Sequence, residues 1–258
     1  MIWHLSGQIM SRGTHTMATT AGILIIGNEI LSGKVQDANS PYLCRELREL
    51  GVEIKRISVI PDDVDVIAEE AATFSSAYDI VITTGGVGPT HDDVTIEGIA
   101  KGLGRRVISH PDLEWVLQKL YGGKINSAHL RMAQVPEGAE LFGQPDLVFP
   151  VVMIKNIYIF PGVPEILRQK FDGIKERFRD TPFFLKEVFV ITGESSIAEH
   201  LNALMREYPA LILGSYPELN NPEYRVKLTL ESKDPTYLDK ALSRLMSLLP
   251  PSAVARVK

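Results

Sequence analysis

The stretch richest in chemical information is Thr83-Thr84-Gly85-Gly86-Val87-Gly88-Pro89-Thr90-His91-Asp92-Asp93, which leaves an apolar run and enters a helical pattern. Its glycines allow backbone conformations closed to other residues and let a ligand approach the peptide N–H groups. N–H groups gathered ahead of a helix form an anion cradle, and phosphate is the natural guest. No Gly-Lys-Ser/Thr follows, so this is not a P-loop, and the glycine spacing is not the dinucleotide fingerprint. Asp92 and Asp93 would repel a phosphate unless a cation lay between. Mg²⁺-like ions are held in this way, by one or two carboxylates plus substrate phosphates. Either aspartate equally suits the simpler task of capping the next helix.

A second loop of similar make-up follows the first apolar run: Gly27-Asn28-Glu29, then Asp37 and Asn39. In a parallel sheet both loops emerge on one edge, which lets Glu29 and Asp37 face Asp92 and Asp93 across a cleft, with Asn28 completing a polar wall. The competing use of Asp37 and Asn39 is local backbone bonding in a solvated turn. Thr90 and Thr95 suit phosphate or metal-bound water, and suit a helix start as well. Arg131 offers a planar fork to phosphate oxygens, or a solvated surface charge. Pro161-Gly162-Val163-Pro164 shapes a rim before a further helix, with Glu165 in its first turn as a dipole partner. His91 is expected in solvent, and Cys44 buried beside Leu43 and Leu47.

The elements that must position these groups alternate. Gly22 to Ile26, Val52 to Ile60 and Asp79 to Thr83 read as strands. Between them lie a helix from Pro41 to Leu50, with Ser40 as its cap and Gly51 as its stop, and a helix from Asp62 to Ala77. Helices are expected over Asp93 to Leu103, Asp112 to Tyr121 and Val163 to Phe178, and a hairpin over Val148 to Phe160. Connections too long for hairpins imply a three-layer α/β/α arrangement around a mostly parallel sheet, covering residues 21–180. After the junction Asp180-Thr181-Pro182, residues 183–258 read as a small α+β domain. Its strands are expected over Glu187 to Ile191, Leu211 to Ser215 and Arg225 to Glu231, and its helices over Ser196 to Glu207 and Pro235 to Leu248.

Composition narrows the classes. With 258 residues, 45% hydrophobic, 23% charged and a mean hydropathy of +0.03, the chain is an ordinary globular protein, not a disordered, collagenous or coiled-coil one. Lys plus Arg is 27 against 32 Asp plus Glu, so the basic excess of a nucleic-acid binder is missing and no nucleic-acid partner is expected. The longest apolar stretch, Leu147 to Ile154, is broken by Pro150 and falls far short of the roughly 20 residues of a membrane span. A lone cysteine forms no internal disulfide, which points to a reducing, cytoplasmic setting. Residues 1–20 contain no Asp or Glu and one Arg, a composition shared by mitochondrial leaders and unstructured extensions, and Met17 is an alternative start.

TTGGVGPTHDDVT, GNEILSG with its later Asp37-x-Asn39, Phe160-Pro161-Gly162-Val163-Pro164-Glu165 and Gly214-Ser215-Tyr216-Pro217 together resemble the molybdopterin-binding-domain family (MoaB/Mog fold). The branch is that shared by the N-terminal halves of CinA-type proteins and eukaryotic FAD synthases. The resemblance implies that Thr84, Gly85, Gly86 and Gly88 hold the phosphate of a nucleotide diphosphate or pterin. It implies further that Asp93 and Glu97 match the acids of the next helix. Asp92 and Asp93 would be catalytic, Asp92, Asp93 and Glu29 metal ligands, and the metal Mg²⁺, Mn²⁺ or Co²⁺, with K⁺ a further candidate. The implied reaction is hydrolysis of FAD or ADP-ribose-like dinucleotides to release AMP. The alternatives are a non-catalytic binding module and a molybdopterin adenylyltransferase, against which the acid at Asp92 speaks. Self-association is also implied. Relatives carry further adenylyltransferase or amidase domains that this sequence lacks, so FAD synthesis is not expected of it.

Overall fold

The computed structural model describes residues 18–143 and 149–258, so the expectations for residues 1–17 and for Leu147 and Val148 lie outside the described residues. The chain divides into two compact units between Asp180 and Thr181.

In the first unit, β1 (Thr20–Ile26), β2 (Glu53–Ile60), β3 (Ile80–Thr84), β6 (Glu140–Phe142), β7 (Val151–Ile154) and β8 (Ile157–Phe160) form one sheet in the order β2-β1-β3-β8-β7-β6. β2, β1, β3 and β8 run parallel, while β7 pairs antiparallel with both β8 and β6. β1 and β3 are buried along almost their whole lengths, which is why they read as unbroken apolar runs. One face of the sheet is covered by α2 (Asn39–Glu49) and α7 (Pro164–Asp172) through Leu43, Leu47, Leu167 and Phe171. The other is covered by α3 (Val64–Ala77), α4 (Thr95–Gly102) and α5 (Pro111–Tyr121) through Ile67, Phe74, Ile99, Leu113 and Leu117. The unit is thus the three-layer α/β/α domain expected, with a mainly parallel central sheet.

Several boundaries move for local reasons. The turn after β1 contains a short helix, α1 (Asn28–Leu31). Ser40 is not the cap of α2: the helix opens at Asn39, and Asp37 accepts from the N–H groups of Asn39 (2.9 Å) and Ser40 (3.0 Å). α4 opens at Thr95, not Asp93. α7 ends at Asp172, and a 3₁₀ turn over Lys175–Phe178 replaces its expected last turns. The small β4 (Val107–Ser109), β5 (Gln134–Pro136) and α6 (Ser127–Arg131) are too short for periodicity to show.

The second unit has a four-stranded antiparallel sheet of β9 (Phe184–Val190), β10 (Ile212–Pro217), β11 (Val226–Ser232) and β12 (Val254–Val257) in the order β10-β11-β9-β12. Two helices, α8 (Glu194–Glu207) and α9 (Pro235–Leu248), pack Ile197, Leu204, Leu238 and Leu245 into its core. No helix of the described residues is long and apolar enough to cross a membrane.

Candidate functional site

Strand register sets the site. Ile25 pairs with Thr84, and Thr84 with Phe160, so β1, β3 and β8 end level with one another and release their loops at one edge. Gly85 takes φ +105°, and a Cβ there would lie 1.9 Å from the Ile26 carbonyl oxygen, so only glycine lets the β3 turn cross the end of β1. Its N–H donates to the Phe160 carbonyl (3.2 Å). The Gly85 carbonyl accepts from Thr95 Oγ1 (2.8 Å) and the Gly86 carbonyl from the Thr95 N–H (3.0 Å). The N–H groups of Gly86, Val87 and Gly88 have no acceptor among the described residues. Three consecutive free donors are an anion-binding arrangement. Thr95, fully buried, braces this cradle from behind and does not line the cavity beside it.

Thr84 and Asn39 are braces as well. Thr84 Oγ1 donates to the Pro161 carbonyl (2.9 Å) and accepts from Asn39 Nδ2 (3.0 Å), which also donates to the Gly162 carbonyl (2.8 Å). Three loops are tied at one point. Asn39 Oδ1 stays buried there without a partner among the described residues.

The acids divide. Asp93 lines the cavity with its carboxylate against Gly88, and its Oδ2 accepts from the N–H (2.7 Å) and hydroxyl (2.5 Å) of Thr90. Its Oδ1 accepts no hydrogen bond from the described residues. Asp92 lies outside the cavity with 61% of its side chain exposed, 3.9 Å from His91, itself in solvent. Asp37 is engaged in capping α2 and by the Ser40 hydroxyl. Glu29 lines the cavity, its carboxylate folded back over Gly27. Asn28 is outside, its N–H held by Asp62 Oδ2 (2.8 Å).

The cavity itself, about 890 Å³, runs from the cradle to an apolar floor. Gly85, Gly86, Gly88, Asp93 and Glu97 line one part, and Pro161, Gly162 and Pro164 the rim. Arg131 reaches the Asp93 carbonyl at 3.5 Å. The floor is the cross-strand pair Val152 and Ile159. Among the described residues no three His, Cys, Asp or Glu side chains are placed to hold a metal ion. The donor set, with one free oxygen on Asp93, fits a cation carried in with phosphates, and does not fit a cage made by protein alone.

Residues 22–180 match the model of the "Probable molybdopterin binding domain" and residues 182–258 that of the "FAD synthase, middle domain". The chain belongs to the molybdopterin-binding-domain family. A protein of Archaeoglobus fulgidus is 38% identical over 88% of this chain and 96% of its own length. A "Probable FAD synthase" of Caenorhabditis elegans is 32% identical over 89% of this chain, which spans only 50% of that relative. The crystal structure of the protein CinA from Thermoplasma acidophilum covers 62% of this chain and 99% of its own, at 28% identity and a TM-score of 0.58.

Against the family's expected site, the structure brings together Glu29, Gly85, Gly86, Gly88, Asp93, Glu97, Arg131, Pro161, Gly162 and Pro164. It leaves Asn28, Asp37, Asn39, Thr84, Thr90, Asp92 and Thr95 off the cavity wall. The sequence reading passed over Asp62, the Val152–Ile159 floor, Phe149 and Lys170. Lys170 had a signal: Leu167 and Phe171 mark the core side of α7, and a lysine three residues after the first and next to the second sits at a core-facing step of that pattern.

Proposed function

We propose that the protein hydrolyses the diphosphate of FAD or an ADP-ribose-like dinucleotide with a divalent metal, releasing AMP. The observation that carries this reading is a run of three residues, Gly86, Val87 and Gly88, whose peptide N–H groups have no acceptor among the described residues and which line, with Asp93, a cavity of about 890 Å³. That volume stands near the top of the roughly 300–1,000 Å³ range of ligand pockets and accommodates more than a mononucleotide. The family membership, and the FAD synthase name of relatives, support a nucleotide or pterin ligand.

In this reading the Gly86, Val87 and Gly88 N–H groups bind phosphate oxygens and receive the negative charge that builds there, at the moment of attack. Arg131 adds a second, charged clamp. Asp93 orients the attacking water through its free Oδ1, while Thr90 fixes the carboxylate by holding Oδ2. A divalent cation bound with the phosphates would neutralise charge and lower the pKa of that water. Val152 and Ile159 keep bulk solvent from the ring end of the substrate.

A non-catalytic binding module is the second reading, favoured by the incomplete set of metal donors among the described residues. Purified protein is incubated with FAD or ADP-ribose and Mg²⁺, Mn²⁺ or Co²⁺, and the products are separated by chromatography. Release of AMP supports the hydrolase. Tight binding of either dinucleotide with no AMP under any metal would replace it with the binding module.

A further inference from the structure

Lys170 is a lysine in an unusual place. It is 8% exposed, lines the cavity, and its Nζ donates one hydrogen bond, to the Pro150 carbonyl at 2.9 Å. The same nitrogen lies 5.0 Å from the centroid of the Phe149 ring. Among the described residues it has no carboxylate partner, so two of its three donors are unused in a site largely cut off from water. Buried lysines of this kind are costly unless something answers them. Burial alone pushes the ammonium down to about 8, and at neutral pH it stays mostly charged.

Its position relative to the cradle is fixed by α7. Val163, Ile166 and Lys170 form one helical stripe along the cavity. A Cβ on Gly162, next to Val163, would lie 3.3 Å from Gly85 Cα, so the stripe starts at the cradle. At about 1.5 Å rise per residue, Lys170 lies roughly 10 Å farther along the helix axis. Val152, Ile159 and Phe149 line the same cavity as Lys170 and the glycine turn, so a ligand with its phosphate on that turn would have room to extend its ring toward them.

We propose that Lys170 is a specificity-determining residue, whose free N–H groups donate to a carbonyl oxygen and adjacent ring nitrogen of an oxo-heterocycle of the flavin or pterin type. Adenine matches this donor pair poorly, because it has no ring carbonyl and sets an amino donor beside its ring nitrogens. The inference rests on the phosphate-cradle reading above and adds to it which ring lies at the far end.

The test measures binding of FMN by fluorescence, and of AMP and pyrophosphate by equilibrium dialysis, to the parent protein and to Lys170→Met. FMN affinity should fall about tenfold in the variant, with AMP and pyrophosphate changing less than twofold and the melting temperature no lower than the parent's. Lys170→Gln, which keeps a donor but loses the charge, should fall between parent and Lys170→Met. Equal losses for all three ligands would make Lys170 a phosphate partner, and unchanged FMN affinity would remove its role; either overturns the inference alone. A parent that binds none of the three overturns this inference and the proposed function together.

Discussion

The loops that end β1 and β3 are built from the same materials, glycines followed by acids, and the structure uses them in opposite ways. After β1, Asp37 faces two N–H groups of its own helix and a serine hydroxyl, and is lost to the ligand. After β3, the Gly85 and Gly86 carbonyls are taken by Thr95, and the cradle N–H groups and one oxygen of Asp93 have no partner among the described residues. The difference lies in the supply of local donors and acceptors. An acid with unpaired backbone N–H groups within reach becomes a cap, whereas an acid with one oxygen left over remains available for chemistry.

The largest effect that sharpens this contrast is expected from Asp93→Asn. It keeps an acceptor for Thr90 and removes the charge, so AMP release should drop by about 10²–10⁴ while circular dichroism stays unchanged. Gly85→Ala attacks the loop's shape. A Cβ against the Ile26 carbonyl at a positive φ should lower unfolding free energy by about 3 kcal/mol in urea titrations, and a loss below about 1 would show that the turn relaxes easily.

Lys170 gives the next effect, and its sign follows from the proton balance. Its native pKa of about 8 lies below the ordinary 10.5, so between these values the unfolded chain holds more protons than the folded one. Parent stability should therefore climb as pH rises from about 8 to about 10.5, by about 3 kcal/mol, with the full penalty present below pH 8. Lys170→Met should be the more stable protein at pH 7, and the gap should close near pH 10.5; a constant gap across that range would contradict the burial effect. The smallest effect is Asp37→Ala, about 1 kcal/mol of stability from a lost cap, read in the same titrations.

What was legible in the sequence follows the same division. The β1 and β3 runs and the glycine turn showed because burial on both faces and positive-φ positions each restrict residue choice strongly. The roles of Thr84, Asn39 and Thr95 were not legible: a hydroxyl or amide that ties three loops together has the same letter as one that touches phosphate. The start of α4 was missed because the Thr90–Asp93 turn takes the residue that patterning assigns to the helix. Lys170 was visible as a polar residue in an apolar register, but only the cavity gives that break a meaning.

The account depends on Asp93 and Asp37 having different fates, and one side-by-side assay tests it: AMP release from saturating FAD or ADP-ribose with Mn²⁺ by the parent, Asp93→Asn and Asp37→Ala. Release lost in Asp93→Asn and within twofold of the parent in Asp37→Ala is the predicted result. Equal losses in the two variants, or full release without the Asp93 carboxylate, would contradict it.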